Sequence, residues 1–140
     1  MSWKFKEHGM LHAKKENNIL VVEGTGPWNI EMLDNSGVKA QQILHELSQD
    51  FWGALTVMHG EAVYLPDAAE RLIEIVKQQK SLKRVATAII VADSSLPAFS
   101  QGYLSGIYEK AGEEFAFFEH KADAIKWLEQ RIGLASKVEI

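Results

Sequence analysis

Gly24-Thr25-Gly26-Pro27-Trp28-Asn29 joins an apolar strand pattern, Ile19 to Val22, to a helical pattern that begins at Ile30. The two glycines permit the backbone angles of a sharp turn, the proline cannot lie inside a helix, and the asparagine can cap the next helix. The segment lacks the third glycine of a dinucleotide-binding loop and the Gly-Lys-Ser/Thr ending of a phosphate-binding loop. It therefore predicts a strand-to-helix turn with a structural role.

A β-hairpin is predicted on the amino-terminal side of this turn. From Trp3 to Ala13 the residues alternate with period two, which is typical of a strand with one solvent-exposed face. The Asn17-Asn18 pair suits a tight turn because asparagine tolerates positive φ. Counting back from this turn predicts two cross-strand pairs with matching faces, Ala13 with Val22 and His12 with Glu23.

Beyond the turn, helical and strand patterns alternate. Helices are predicted at Ile30 to Leu47, from Pro66 onward, at Phe99 to Ala111 and at Lys121 to Ile132, and strands at Trp52 to Met58, Val85 to Ala92 and Phe115 to Phe118. Asn35, Ser36 and Gly37 lower helix propensity, so a kink or break near Gly37 is an alternative for the first helix.

The order of these elements predicts an α/β fold. Strands that alternate with helices imply parallel neighbours after the first hairpin, and the uniformly apolar Val85 to Ala92 implies a strand buried on both faces. We therefore expect residues 1–140 to form one layered domain. It should hold a mixed, mostly parallel five-stranded sheet with about four helices.

Composition narrows the class of protein. The net charge of -4 and the scattered basic residues argue against nucleic acid as a partner. The chain has no cysteine, which excludes disulfides and cysteine metal sites and fits the cytoplasm. No signal-peptide or membrane-span pattern is found, and no metal or cofactor is expected.

Three sets of residues resemble the SpoIIAA-like family: His8-Gly9-Met10-Leu11, Gly26-Pro27-Trp28-Asn29, and Phe118 followed by Ala124, Trp127 and Leu128. That family shares the STAS fold, and its architecture is similar to the lipid-binding CRAL-TRIO domain. The resemblance implies strands laid down in sequence order and a non-catalytic binding or regulatory module. Its ligand would be a small apolar molecule or a lipid, with peripheral association at the inner membrane and a homodimer as further expectations.

The chain departs from the family at one functional position. Anti-sigma factor antagonists of the STAS type carry a phosphorylatable serine at the start of the helix after the third strand. Here the segment from Val63 to Ala69 has Tyr64 as its only hydroxyl, and Asp67 near the helix start. The alternative function is a protein-protein regulatory domain akin to such an antagonist, without the phosphoserine switch.

The histidines do not predict a metal or catalytic site. His8 and His12 are four residues apart on one strand face, roughly 13 Å, which is too far for one ion. His59 with Glu61 follows a strand end, where α/β proteins bind ligands, but no nucleophile can be assigned to it. We therefore predict that the chain is not an enzyme, and a hydrolase using His59 is the less favoured alternative.

The carboxyl ends of the parallel strands should form the binding site, because aromatic and polar residues meet there. The helix from Phe99 to Ala111 carries a broad aromatic and apolar face with Gly102 and Gly106, which suggests a lid, a dimer interface or a membrane-touching face. The predicted ligand-binding residues are Trp28, Asn29, His59, Tyr64, Phe99, Tyr103 and Tyr108.

Overall fold

The computed structural model describes residues 11–26, 28–60, 64–92, 94 and 96–138, and gives the backbone alone at 32, 35–39 and 138. Nine helices and strands follow one another in these residues. They are β1 (Leu11–Glu16), β2 (Ile19–Thr25), α1 (Ile30–Leu47), β3 (Trp52–His59), α2 (Pro66–Lys80), β4 (Arg84–Ala92), α3 (Pro97–Ala111), β5 (Glu114–Phe117) and α4 (Lys121–Val138).

The five strands form one mixed sheet in the order β1-β2-β3-β4-β5. β1 pairs antiparallel with β2, and the other neighbours pair in parallel. β4 lies between β3 and β5, so the predicted position of Val85 to Ala92 inside the sheet is confirmed, as is the predicted α/β class.

The hairpin register follows the predicted count. Ala13 lies opposite Val22 and His12 opposite Glu23. Asn17 has a φ of 53°, the left-handed conformation that asparagine tolerates in a tight turn. The prediction extended this first strand back to Trp3, and residues 1–10 lie outside the described part of the chain.

Helices cover both faces of the sheet. Residues of α1, α2 and α3 pack on one face with Met58 and Ile89, whereas α4 packs on the other with Leu55 and Ala88. α4 approaches β3 closely because Gly53 has no side chain. A Cβ there would lie 2.9 Å from Leu128 Cδ2.

Some element boundaries differ from the predicted ones. α1 begins and ends as predicted and runs unbroken through Gly37, so a break at that position is wrong. α4 continues to Val138, beyond the predicted end at Ile132. β5 begins one residue earlier than predicted and ends at Phe117, although the N–H of Phe118 still donates to Ile89.

Candidate ligand cavity

An apolar cavity of about 90 Å³ lies between the sheet and helices α1 and α2. It extends across the sheet face from the turn after β2 to the start of β4. The sheet lines it with Leu11, Ala13, Leu20, Val22, Ala54, Thr56 and Arg84, the helices with Leu33, Ala40, Leu44, Leu72, Ile75, Gln79 and Tyr108, and the loops with Trp28 and Tyr64.

Small side chains on facing layers leave this space. Ala13 and Ala54 point from the sheet toward the helices, and Ala40 faces them from α1. Because side chains alternate along a strand, Ala54 and Thr56 share the inner face with Met58. Three small residues where leucine or isoleucine would fill the gap explain why the layers do not close completely.

Trp28 and Tyr64 close the cavity at the carboxyl end of the sheet. They form an isolated parallel bridge, and their rings pack edge to face with centroids 5.3 Å apart. The N–H of Leu65 donates to the carbonyl of Trp28 at 3.0 Å, which fixes the two segments side by side. Trp28 is 1% exposed, and its Nε1 has no hydrogen-bond partner among the described residues.

A buried charged network closes the opposite end. Arg84 donates to Glu113 at 2.7 Å, to Gln79 at 2.6 Å and to Thr87 at 2.6 Å. Thr87 in turn donates to Glu113 at 2.6 Å, and Lys80 donates to the other oxygen of Glu113 at 2.8 Å. Arg84 therefore lines the cavity, and its guanidinium already donates hydrogen bonds to three side chains.

Burial and charge act in opposite directions on the network carboxylate. Burial raises the pKa of Glu113, but the charge of Arg84 and hydrogen bonds from Lys80, Thr87 and Arg84 outweigh it and hold that pKa below the ordinary value. Glu113 is therefore ionised at neutral pH and balances the buried guanidinium.

The two tyrosines of the cavity wall are neutral hydrogen-bonding groups. Burial raises the pKa of Tyr64 well above its ordinary value, and the nearby Tyr108 adds to this rise. Burial also raises the pKa of Tyr108, although the charge of Arg84 and a hydrogen bond with Thr56 lower it in part. Both side chains stay protonated at physiological pH.

Three of the predicted site residues line the cavity: Trp28, Tyr64 and Tyr108. Asn29 is partly buried at the start of α1, where its carbonyl accepts from the N–H of Leu33. It is absent from the cavity lining.

His59 lies on the opposite face of the sheet from the cavity. Its position in β3 places it with Leu55 and Val57, whose side chains pack with α4. His59 Nε2 is 2.6 Å from a carboxylate oxygen of Glu23. The predicted companion Glu61 lies outside the described residues.

Phe99 is exposed on the outside of α3, whereas Tyr103 is partly buried and packs against the core. Their rings stack with centroids 6.4 Å apart, and the Tyr103 hydroxyl donates to the carbonyl of Tyr64 at 2.8 Å. Tyr108 was expected on the same aromatic face, but it is buried and packs against Phe115. The aromatic surface left over on this helix is therefore smaller than predicted.

The sequence prediction missed the charged end of the cavity. Arg84 and Glu113 are 29 residues apart, and neither belongs to a recognisable motif. One signal was present: an arginine and a threonine, Thr87, at the start of an otherwise apolar buried strand need a buried partner.

Metal and membrane features were also sought in the described part of the chain. It contains no group of three or more His, Cys, Asp and Glu residues that could hold a metal ion. None of its four helices combines the length and apolar character needed to cross a bilayer.

A scan against models of protein families matches no family, and a search of curated proteins gives no significant match. The resemblance to the SpoIIAA-like family therefore stays a prediction that depends on the residues quoted for it.

Proposed function

We propose that this chain is a non-catalytic binding module that takes a small, neutral, mainly apolar molecule into the cavity beneath α1 and α2. Trp28 lines the cavity, and its buried Nε1, which has no hydrogen-bond partner among the described residues, carries the proposal. A buried donor without a partner costs about 1–3 kcal/mol, which a hydrogen-bond acceptor on the ligand would recover. The ligand is therefore expected to carry one acceptor, such as a carbonyl or ether oxygen.

The charges around the cavity favour a neutral ligand. Among the described residues, Arg84 is the only charged one that lines it, and its guanidinium already binds Glu113, Gln79 and Thr87. An anion entering the cavity would lose its hydration without finding an unpaired cation there.

The cavity volume limits the size of the ligand. At about 90 Å³ it is smaller than the cavity of roughly 150 Å³ that binds benzene, and below the roughly 300 Å³ at which drug-sized pockets begin. A molecule smaller than benzene fits the cavity as it stands. A lipid chain fits only if the helices that cover the cavity move away from the sheet.

The position of His59 supports a binding role over a hydrolytic one. A catalytic histidine has to reach the bound substrate, whereas this one lies on the other face of the sheet and contacts Glu23. A substrate in the cavity would be separated from His59 by the sheet itself.

Nuclear magnetic resonance of the tryptophan indole N–H groups tests the proposal directly. The probes are acetone, which has an acceptor, and xenon, which has none. We expect acetone to shift the indole signal of Trp28, which Trp28→Phe identifies, and xenon to perturb neighbouring methyl groups of Leu33 and Leu72. Trp127→Phe, on the α4 face, is the matched control and should leave both effects unchanged.

Filling the cavity provides the second arm of the experiment. Ala54→Val adds two methyl groups to the inner face of β3, where a β-branched residue suits the strand. We expect this variant to fold and to lose both responses. Responses that persist unchanged in Ala54→Val would contradict binding in this cavity, and native mass spectrometry of the purified chain would then identify any molecule retained elsewhere.

A second candidate is a protein or membrane contact at the carboxyl edge of the sheet. Three large apolar residues are exposed there: Leu65 by 48%, Leu96 by 60% and Phe99 by 61%. Each leucine directly precedes the proline that opens a helix, so both lie at the same end of the fold. Burying such side chains recovers about 25 cal/mol per Å² of apolar surface.

Sedimentation and vesicle-binding measurements distinguish a homodimer from membrane association at this edge of the sheet. A homodimer through α3 should dissociate in Phe99→Ser, whereas membrane association should appear as vesicle binding that Phe99→Ser reduces. Leu82→Ser, which changes an exposed leucine in the turn before β4, is the control. A chain that sediments as a monomer and ignores vesicles would exclude both forms.

A further inference from the structure

A second concave site lies on the outside of the fold, between the start of β4 and the carboxyl-terminal half of α4. This outer groove has a volume of about 640 Å³, within the roughly 300–1,000 Å³ typical of ligand sites. Its lining includes the cations Lys80, Arg84 and Arg131, the carboxylate of Glu114, and the apolar side chains of Phe51 and Leu134.

The outer groove is positively charged in a chain of net charge -4. Lys80 and Arg84 share the buried Glu113, and Arg131 pairs with Glu114, so three cations face two carboxylates and one positive charge remains. Lys83, whose Nζ lies 5.7 Å from the Phe51 ring centroid, adds a second. Charge complementarity therefore favours an anion.

Arg131 is the cation best placed to meet a ligand. Its Nη1 donates to Glu114 at 3.1 Å, and its guanidinium carbon lies 5.7 Å from the Trp127 ring centroid. The Nε of Arg131 is buried and has no hydrogen-bond partner among the described residues, so a ligand would meet the guanidinium at Nη1. An anion that replaces the half-exposed Glu114 would form the charge-assisted hydrogen bond to Nη1 that Glu114 forms here.

The apolar part of the groove implies more than a simple ion. Leu134 is half-exposed, and Phe51 is partly exposed beside it in the groove lining. An apolar group on the ligand would cover both side chains and gain hydrophobic free energy. We propose that the outer groove binds a small soluble organic anion, a carboxylate or phosphate that carries a short apolar group.

Titration calorimetry with octyl phosphate tests this site, with octanol and inorganic phosphate as the two half-probes. We expect octyl phosphate to bind more tightly than either half-probe and to weaken as the salt concentration rises. Arg131→Gln should weaken the binding of octyl phosphate by roughly tenfold or more, because a charge-assisted hydrogen bond is lost. Leu134→Ser should weaken octyl phosphate and leave inorganic phosphate unchanged.

Arg71→Gln is the matched control, because Arg71 also forms an ion pair with a surface carboxylate, Asp34 at 2.9 Å, and lies outside the groove lining. Circular dichroism of each variant establishes that it is folded. Three results would overturn the proposal: no binding of octyl phosphate at millimolar concentration, equal losses in Arg71→Gln and Arg131→Gln, or binding only to vesicles of anionic lipid. The last would assign the groove to a membrane surface.

Discussion

Trp28 and Trp52 are both fully buried, at opposite ends of the same sheet, and they differ in what surrounds their indole N–H. Trp52 Nε1 donates to the carbonyl of Leu82 at 2.8 Å, and the guanidinium carbon of Arg84 lies 5.8 Å from its ring centroid. The Nε1 of Trp28 has no partner in the part of the chain that the structure describes. The two indole rings are thus equally buried, but within the described residues only that of Trp52 is hydrogen-bonded.

The difference extends to the two ends of the inner cavity. At the amino end of the parallel strands, Arg84 and Glu113 satisfy one another with help from Lys80, Gln79 and Thr87. At the carboxyl end the wall is aromatic, the buried indole donor of Trp28 has no partner among the described residues, and leucines are exposed nearby. Satisfied polar networks stabilise a fold, whereas unsatisfied groups and exposed apolar surface mark places where something can bind.

The largest effect on stability is expected at the amino end of the parallel strands, where Arg84 and Glu113 are paired. Glu113→Gln leaves Arg84 buried without its counterion, so the free energy of unfolding should fall by about 3–5 kcal/mol. The neighbouring Glu114→Gln removes a carboxylate that is half-exposed, and should cost less than about 1 kcal/mol. Urea denaturation of both variants measures the contrast, and similar costs would mean that the network contributes no more than a surface ion pair.

The same network predicts a dependence of stability on pH. Because the pKa of Glu113 is lower in the folded chain than in the unfolded one, its contribution is complete above the ordinary glutamate value, about 4.3, and is lost as pH falls through the folded value. Wild-type stability should therefore fall more steeply below about pH 4.3 than that of Glu113→Gln. Parallel curves in acid would contradict the lowered pKa.

A smaller difference in stability is expected between phenylalanine variants of the two tryptophans. Trp52→Phe and Trp28→Phe remove similar ring volume, but among the described residues only Trp52 loses an indole hydrogen bond, the part-buried one to the carbonyl of Leu82. Trp52→Phe should therefore be less stable than Trp28→Phe by about 0.5–1.5 kcal/mol. Thermal unfolding of the ligand-free variants measures this, and equal losses would show that Trp28 is also hydrogen-bonded in solution.

The smallest effect concerns the outer face of α3. A Cβ at Gly102 would meet nothing within 4 Å among the described residues, so Gly102→Ala should stabilise the chain by about 0.5–1 kcal/mol through helix propensity. Gly53→Ala is the opposite control and should destabilise, because its Cβ would press on Leu128. Loss of stability in Gly102→Ala would indicate that a partner covers this face of α3.

The residues alone determined the fold. The class, the strand β4 inside the sheet, the hairpin register and the bounds of α1 followed from hydrophobic period, turn residues and caps. These signals are local: the period of two or 3.6 is set by the backbone, and Asn17 tolerates positive φ wherever it stands. The sequence also predicted that Trp28 and Tyr64 lie near one another, because Trp28 follows β2, Tyr64 follows β3, and these strands are parallel neighbours.

Only the tertiary structure decided which side chains of each element are buried, which are exposed, and which distant residues meet. The broad apolar face of α3 did not reveal that Tyr108 lies inside and Phe99 outside, because a helical pattern does not state how far its neighbours cover it. Likewise the cavity depends on Ala13, Ala40 and Ala54 meeting across two layers. The pairing of Arg84 with Glu113 joins segments that no spacing rule connects, since packing between distant elements is set by their three-dimensional arrangement and not by sequence separation.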